Sequence, residues 1–178
     1  TDVVQITNLA VSFSTDAGAV KAVDDVTLSV APGQVLAIVG ESGSGKTVTA
    51  KAILGLLPET ATASGAVILR SRDGGTESDV IRLTKKQLRE VRGSDVAMVF
   101  QEPSTSLNPV YTVGWQIAEG LKAHGKVSKA EARAKSIEIL GRVGIPEPER
   151  RVDYYPHQFS GGQKQRVVIA MALVLNAG

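Results

Sequence analysis

A glycine-rich octapeptide, Gly40-Glu41-Ser42-Gly43-Ser44-Gly45-Lys46-Thr47, lies between an apolar run and an amphipathic segment. The apolar run, Val35 to Val39, predicts a short strand that is buried on both faces. After the octapeptide, apolar residues recur at helical spacing from Ala50 to Leu57, which predicts a helix that Pro58 ends. Strand, glycine-rich turn and helix in this order indicate an α/β fold.

The octapeptide fits the pattern G-x-x-x-x-G-K-[ST], which predicts a phosphate-binding loop in this setting. Backbone N–H groups of the turn and the positive end of the helix attract an anion. Lys46 is expected to reach the β- and γ-phosphates of a nucleotide, and the Thr47 hydroxyl to ligate Mg²⁺. The alternative is a glycine-rich turn without a ligand. In that alternative, the positive charge of Lys46 in the first helical turn opposes the helix dipole, at a cost of roughly 0.3–1 kcal/mol.

Composition limits the remaining possibilities. The 178 residues, 43% of them hydrophobic, suffice for one substantial core with room for a small subdomain. A net charge of +2 gives no argument for nucleic acid, and the absence of cysteine excludes disulfides and cysteine-bound metal within this stretch. The longest apolar run, Val167 to Leu175, is about half a membrane span. No signal-peptide pattern is found, so we expect a soluble, cytosolic chain.

Two hairpins are predicted from β-branched residues and turn-forming residues. The first joins strands at 3–13 and 20–30 through the turn Thr15-Asp16-Ala17-Gly18. The second joins strands at 64–69 and 80–83 through Arg72-Asp73-Gly74-Gly75.

The second half of the chain is predominantly helical by pattern. A short helix at 84–91 precedes the all-apolar run Val96 to Phe100, which predicts a second buried strand ending at Gln101. Ser128 with Glu131 predicts a capped helix that ends at Gly144. A final helix begins near Ser160 and, being apolar on every side from Val167 to Leu175, is expected to be buried.

Ser160-Gly161-Gly162-Gln163 opens that final helix. A capping box explains Ser160 and Gln163 without any ligand. It does not explain two consecutive glycines, which weaken a helix by about 1 kcal/mol each relative to alanine. Glycine at these positions indicates that another group approaches the backbone closely, and a second phosphate contact fits.

Phe159-Ser160-Gly161-Gly162-Gln163, followed by Gln165-Arg166, resembles the signature motif of ATP-binding cassette (ABC) ATPases. That family combines the motif with an upstream phosphate loop and an intervening glutamine loop, which Gln101 matches. The stretch from Phe100 to Gly114 is similar to the subfamily that energises bacterial peptide and nickel importers. Tyr155-Pro156-His157 matches the same subfamily.

The resemblance implies a fold and a domain organisation. We expect an α/β phosphate-loop ATPase core with an N-terminal antiparallel β subdomain and a helical subdomain. Residues 1–101 would form the nucleotide-binding core with its β part, residues 102–159 the helical subdomain, and residues 160–178 the start of the second half of the core. The family's Walker B strand, which carries the catalytic glutamate, should follow Asn176. The resemblance therefore implies an N-terminal fragment that lacks the C-terminal core strands and is inactive alone.

The resemblance also assigns site residues. Phe13 would stack on adenine, with a place in the strand core as the alternative. Gln101 would ligate Mg²⁺ or the attacking water, with a plain strand-end glutamine as the alternative. A γ-phosphate held by an opposing subunit would contact Ser160, Gly161, Gly162 and Gln163. The residues expected to hold ATP in this subunit are Gly40, Ser42, Gly43, Ser44, Gly45, Lys46, Thr47 and Val48. His124 and His157 are expected to be structural.

The implied partners are transmembrane permease subunits, a second ATP-binding subunit in a head-to-tail dimer and, indirectly, a solute-binding protein, with no nucleic acid. The implied location is the cytoplasmic face of the bacterial plasma membrane, with peripheral attachment. Trp115 and nearby apolar residues are the expected permease contacts, with burial of Trp115 inside the lobe as the alternative. A phosphate-loop GTPase or small-molecule kinase is disfavoured by Ser160 to Gln163. A non-transport ABC ATPase of DNA repair or translation stays open.

Overall fold

The computed structural model describes residues 1–71, 74–125 and 127–175, with only the backbone of residues 103 and 104. The chain divides into two compact units, one of residues 1–95 and one of the residues from 96 onward. The three-part domain division given above stays a prediction. Among the described helices, none is long and apolar enough to cross a membrane.

The first unit is built on a four-stranded antiparallel sheet with strand order β2-β1-β3-β4. Its strands are β1 Val4–Thr15, β2 Gly18–Val30, β3 Ala61–Arg70 and β4 Glu77–Asp79. The first predicted hairpin is confirmed, because Thr15 pairs with Gly18 across the turn. Alternating apolar residues of these strands form the core of the unit, which includes Ile6, Leu9, Val11, Val23, Val67 and Leu69.

Two helices complete the first unit: α1 Lys46–Ile53 and α2 Lys85–Ser94, the latter interrupted at Arg92 and Gly93. Thr84 and Gln87 form a reciprocal capping box that starts α2. The second predicted hairpin is partly wrong. Residues 77–79 form its second strand, whereas Val80–Arg82 form a 3₁₀ turn. Arg72 and Asp73 of its connection lie outside the described residues.

Helix α1 ends earlier than the sequence predicts, because a glycine stops it before Pro58. Gly55 has a φ of 61°, its N–H donates to Ala52, and the Leu56 N–H donates to Lys51, which is a Schellman motif. The Arg92 guanidinium donates to the carbonyls of Leu54 and Gly55. The carbonyl groups at the end of α1 are therefore satisfied by a side chain that lies more than 35 residues away in the sequence.

The second unit is helical, as predicted. Its helices are α3 Pro103–Ser106, α4 Val113–His124, α5 Lys129–Arg142, α6 Pro148–Arg151 and α7 Gly161–Leu173. Thr112 and Ser128 cap α4 and α5 by accepting the N–H groups of Trp115 and Glu131. One apolar cluster joins these helices and includes Val113, Ile117, Ile139, Leu140, Val152, Phe159 and Val167.

The end of α5 repeats the arrangement at the end of α1. Gly144, with a φ of 78°, donates to Gly141, and Ile145 donates to Leu140. Arg166 of α7 donates to the carbonyls of Val143 and Gly144 at 3.1 and 3.2 Å. The arginine next to the signature motif thus connects α7 to the end of α5.

Two apolar runs predicted as buried strands are irregular and exposed, which corrects the sequence prediction. Val35 and Val39 are 94% and 89% exposed, and Phe100 is 44% exposed. Residues 34–40 and 97–100 are outside any strand. The physical reason is that a strand needs paired neighbours for its backbone groups, and the described sheet places none beside these runs.

The burial of α7 is also less complete than predicted. Val167, Val168 and Ala170 are buried, whereas Leu173 is 42% exposed. Among the described residues, the helix packs against α3, α4 and α5 of its unit. Although its sequence is apolar on all sides, α7 is therefore only partly buried within the second unit.

The cap of α5 generates a stability prediction. Gly144→Ala is expected to lower the free energy of unfolding by about 1–2 kcal/mol, because alanine is strained at positive φ and its Cβ would meet the Arg166 guanidinium. Gly161→Ala is the matched control. A Cβ at Gly161 meets nothing within 4 Å, so stability should be unchanged or raised by up to about 1 kcal/mol. Urea unfolding measures both, and equal destabilisation would contradict this account.

Candidate functional site

The phosphate loop is shaped by two glycines in the left-handed region. Gly43 and Gly45 have φ values of 82° and 87°, which side chains with a Cβ rarely adopt. Gly45 also packs against β2, where a Cβ would lie 2.5 Å from the Ala22 carbonyl oxygen. The β1–β2 register shifts at this place, with Val11 opposite Val23 but Ser12 opposite Lys21. An irregularity of the sheet therefore lies against the second glycine.

Lys46 is held inside the loop by the backbone. Its Nζ donates to the carbonyls of Gly40 and Glu41 at 2.7 and 2.6 Å and lies 3.1 Å from the Ser44 hydroxyl. Gly40 has little space for a side chain, since a Cβ there would lie 2.5 Å from the same hydroxyl. The loop therefore closes around the ammonium group and keeps it on the side of the turn that the carbonyls line.

The start of α1 suits an anion and a metal ion. Gly45 provides no side-chain cap, and no acidic residue lies in the first turn, so no side chain of that turn opposes an anion at the first N–H groups. The Thr47 side chain is exposed, and its hydroxyl makes no hydrogen bond within the described residues. Val48 follows it, partly buried in the same turn. These residues fit a nucleotide phosphate and Mg²⁺.

Phe13 lies on β1, partly buried, opposite Val20 of β2 and Ala61 of β3. Val11, two residues earlier on the same face, pairs with Val23, whose side chain adjoins Gly45. Phe13 therefore lies two residues along β1 from the residue that pairs with Val23, a span of about 6.5 Å. The role of Phe13 in stacking on adenine stays a prediction.

The signature motif forms the capped start of α7. The Gln163 N–H donates to the Ser160 hydroxyl, and the Ser160 N–H donates to the Gln163 side chain. A Cβ at Gly161 or Gly162 would meet nothing within 4 Å in the described chain, and both glycines have ordinary helical backbone. Neighbouring atoms of the described residues therefore do not explain why glycine stands at either position.

Gln101 follows an irregular segment of the second unit, and its side chain is exposed. The phosphate loop belongs to the first unit, whereas Gln101 and the signature belong to the second. The roles predicted for Gln101 and for Ser160 to Gln163 stay predictions. Among the described residues, no group of three or more His, Asp or Glu side chains could hold a metal ion.

An exposed aromatic pair lies at the start of α4. The rings of Tyr111 and Trp115 stack with centroids 3.9 Å apart and an interplanar angle of 14°. Tyr111, Trp115 and the adjacent Val110 are 41%, 43% and 68% exposed. We call these three residues the aromatic platform. Trp115 is therefore not enclosed within the helical lobe, which was the alternative that the sequence left open.

A groove of about 230 Å³ adjoins Trp115 between α4 and α5, with Gly114 and Ala132 among its lining residues. At its edge, Arg133 donates two hydrogen bonds of 2.7 Å to the Asp153 carboxylate. These hydrogen bonds lower the pKa of Asp153 and raise that of Arg133. The ion pair is solvent-accessible, so it contributes at most about 1 kcal/mol to stability.

Sequence reasoning missed Gln116, which is buried beneath the platform. Its side chain bonds to the backbone of Asn108 and Tyr111. The signal was available, because Gln116 falls on the apolar face of α4 that Val113 and Ile117 define. A polar residue on a buried face needs hydrogen-bond partners, which predicts a structural contact there.

Comparison with known proteins decides the family. The profile of the ABC transporter family matches residues 23–178. The chain belongs to the ABC transporter family. The prediction made from the phosphate loop and Phe159 to Gln163 is thereby confirmed.

The curated relatives are peptide transport proteins. The chain is 47% identical over 174 residues to a dipeptide transport ATP-binding protein, DppD, of Bacillus subtilis, covering 97% of this chain and 50% of the relative. It is also 47% identical over 176 residues to a putative peptide import ATP-binding protein of Brucella abortus, covering 98% of this chain and 52% of that relative. The predicted likeness to peptide importers is confirmed. The chain spans about half the length of these relatives.

Solved ABC cassettes share the fold. A dimeric structure of the ATP-binding cassette MJ0796 with ADP and phosphate bound superposes with a TM-score of 0.80 at 28% identity, covering 98% of this chain and 70% of that one. The cassette CbiO1 of Clostridium perfringens gives 0.75 at 26% identity, covering 99% and 62%. The predicted ABC ATPase fold class is therefore confirmed.

The geometry of Lys46 generates a binding prediction. Lys46→Ala is expected to weaken binding of Mg·ATP at least tenfold, because the loop loses the cation that its carbonyls position. The fold should persist, since the ammonium lies outside the apolar core. Isothermal titration calorimetry gives the affinity, with Lys51→Ala in the last turn of α1 as a charge-matched control. Equal affinities of wild type and Lys46→Ala would refute the role of Lys46.

Proposed function

We propose that this chain is part of the ATP-binding subunit of an ABC importer that couples ATP binding and hydrolysis to the uptake of peptides. The observation that carries the proposal is the loop around Lys46, whose ammonium is held by carbonyls at the start of a helix that lacks any side-chain cap. The similarity to DppD of Bacillus subtilis supports peptides as the solute class.

In this proposal ATP binds along the surface from the phosphate loop to β1. Lys46 exchanges its contacts with the Gly40 and Glu41 carbonyls for β- and γ-phosphate oxygens, and the Thr47 hydroxyl ligates Mg²⁺. Bound Mg²⁺ neutralises charge on the β- and γ-phosphates. Phe13 stacks on adenine. The left-handed glycines let the backbone N–H groups face the phosphates.

The signature motif acts on the nucleotide of a second ATP-binding subunit, in a head-to-tail dimer. Support comes from the open space at Gly161 and Gly162, where no atom of the described residues lies within 4 Å of a Cβ position. The similar cassette MJ0796 is dimeric with ADP and phosphate bound. The Ser160–Gln163 box keeps the first turn in place for that contact.

The helical unit is the proposed contact with the permease. The aromatic platform exposes large apolar groups, and such groups mark protein interfaces when they lie together. The subunit would then be bound peripherally at the cytoplasmic face of the membrane, with a solute-binding protein as an indirect partner. A non-transport ABC ATPase is the alternative, and failure to co-purify with any membrane subunit would favour it.

Cross-linking tests the permease contact. The sequence has no cysteine, so Val110→Cys introduces a single thiol at the platform. In the assembled transporter, this thiol is expected to form a disulfide with cysteines placed in a cytoplasmic helix of the permease. Asp16→Cys, at the tip of the β1–β2 hairpin, is the control. Cross-linking from residue 16 but not from residue 110 would show that the platform is not the contact.

We further propose that these 178 residues bind ATP without hydrolysing it, because the general base of the family is expected to follow Asn176. Phosphate release from a polypeptide of residues 1–178 should equal that of its Lys46→Ala variant. A longer chain that includes the following strand should release phosphate in a Lys46-dependent manner. Lys46-dependent turnover by residues 1–178 alone would show that the base lies within them.

A further inference from the structure

The buried amide of Gln116 binds three backbone groups of the loop that precedes α4. The residue is only 7% exposed. Its Oε1 accepts the Asn108 N–H, and its Nε2 donates to the carbonyls of Asn108 and Tyr111, each at 2.9 Å. Both N–H donors and one acceptor position of the amide are therefore used within one short loop.

These hydrogen bonds determine where Tyr111 lies. Within the loop, the Val110 N–H also donates a hydrogen bond to Asn108 Oδ1 at 3.1 Å. Tyr111 has its carbonyl fixed by Gln116, and its ring stacks on Trp115, the residue beside Gln116 in α4. Two adjacent residues of α4 thus hold Tyr111, because Gln116 binds its carbonyl and Trp115 stacks on its ring.

We propose that Gln116 is a positioning residue that holds Tyr111 against Trp115, so that the aromatic platform is preformed for its partner. The identity of that partner as the permease rests on the proposed function. The three hydrogen bonds of the buried amide order a loop that lies at the surface of the unit. A preformed apolar surface does benefit, because ordering the loop before contact removes an entropic cost of binding.

Two variants separate positioning from general stability. Gln116→Met has a similar shape but loses all three hydrogen bonds. Gln116→Glu keeps the acceptor for Asn108 and, when ionised, directs a second carboxylate oxygen at the carbonyls of Asn108 and Tyr111. Ile139→Val is the matched control, since it perturbs the core of the same unit without touching the loop. Tyr111→Ala removes the stacked ring itself.

Trp115 provides the readout, because it is the only tryptophan of the sequence. At pH 8, acrylamide quenching of its fluorescence is expected to rise about twofold in Gln116→Met, Gln116→Glu and Tyr111→Ala, and to stay at the wild-type value in Ile139→Val. Burial raises the pKa of a carboxyl at position 116, and the protonated carboxyl can donate one hydrogen bond. Lowering the pH to 5 should therefore restore Gln116→Glu, but not Gln116→Met, toward wild type.

Unchanged quenching in both Gln116 variants, with a change in Tyr111→Ala, would overturn the proposal, as would an equal change in Ile139→Val. A second arm uses the Val110→Cys cross-link in the assembled transporter. Gln116→Met should lower its yield severalfold while Mg·ATP affinity stays within twofold of wild type. An undiminished yield would overturn the link to the partner. Absence of the cross-link in Val110→Cys with Gln116 unchanged would instead contradict the permease contact, since the Trp115 readout needs no permease.

Discussion

The close packing of the phosphate loop on β2 is the constraint on which the candidate site depends. Gly45 lies against the Ala22 carbonyl, where no side chain fits, and the next residue begins α1. Lys46 then folds back to the Gly40 and Glu41 carbonyls. An irregular sheet register, a left-handed glycine and one lysine together place a cation in the loop, next to a helix start that has no side-chain cap.

Both units end a helix by the same device. A Schellman glycine stops α1 and α5, and an arginine distant in the sequence donates to the two terminal carbonyls. In the second unit that arginine, Arg166, belongs to the signature helix. The position of the signature is thus connected to the end of α5. Arg166 therefore contributes both to the stability of the second unit and to the position of the signature helix.

Local patterns in the sequence predicted much of this structure. The glycine loop, the first hairpin and the Ser160–Gln163 cap depend on residues within a few positions of each other, and each is present. The runs at 35–39 and 96–100 were predicted wrongly, because apolar content does not supply paired strands. Long-range contacts such as that of Arg92 with Leu54 had no local signal.

Hydrogen exchange of the loop amides tests the central claim directly. At saturating Mg·ATP, the amides of residues 43–48 are expected to exchange at least tenfold more slowly, because phosphate oxygens accept hydrogen bonds from them. The hairpin tip at Asp16 and Ala17 serves as an internal reference and should be unaffected. Unchanged exchange at 43–48 with bound nucleotide would contradict phosphate binding by this loop.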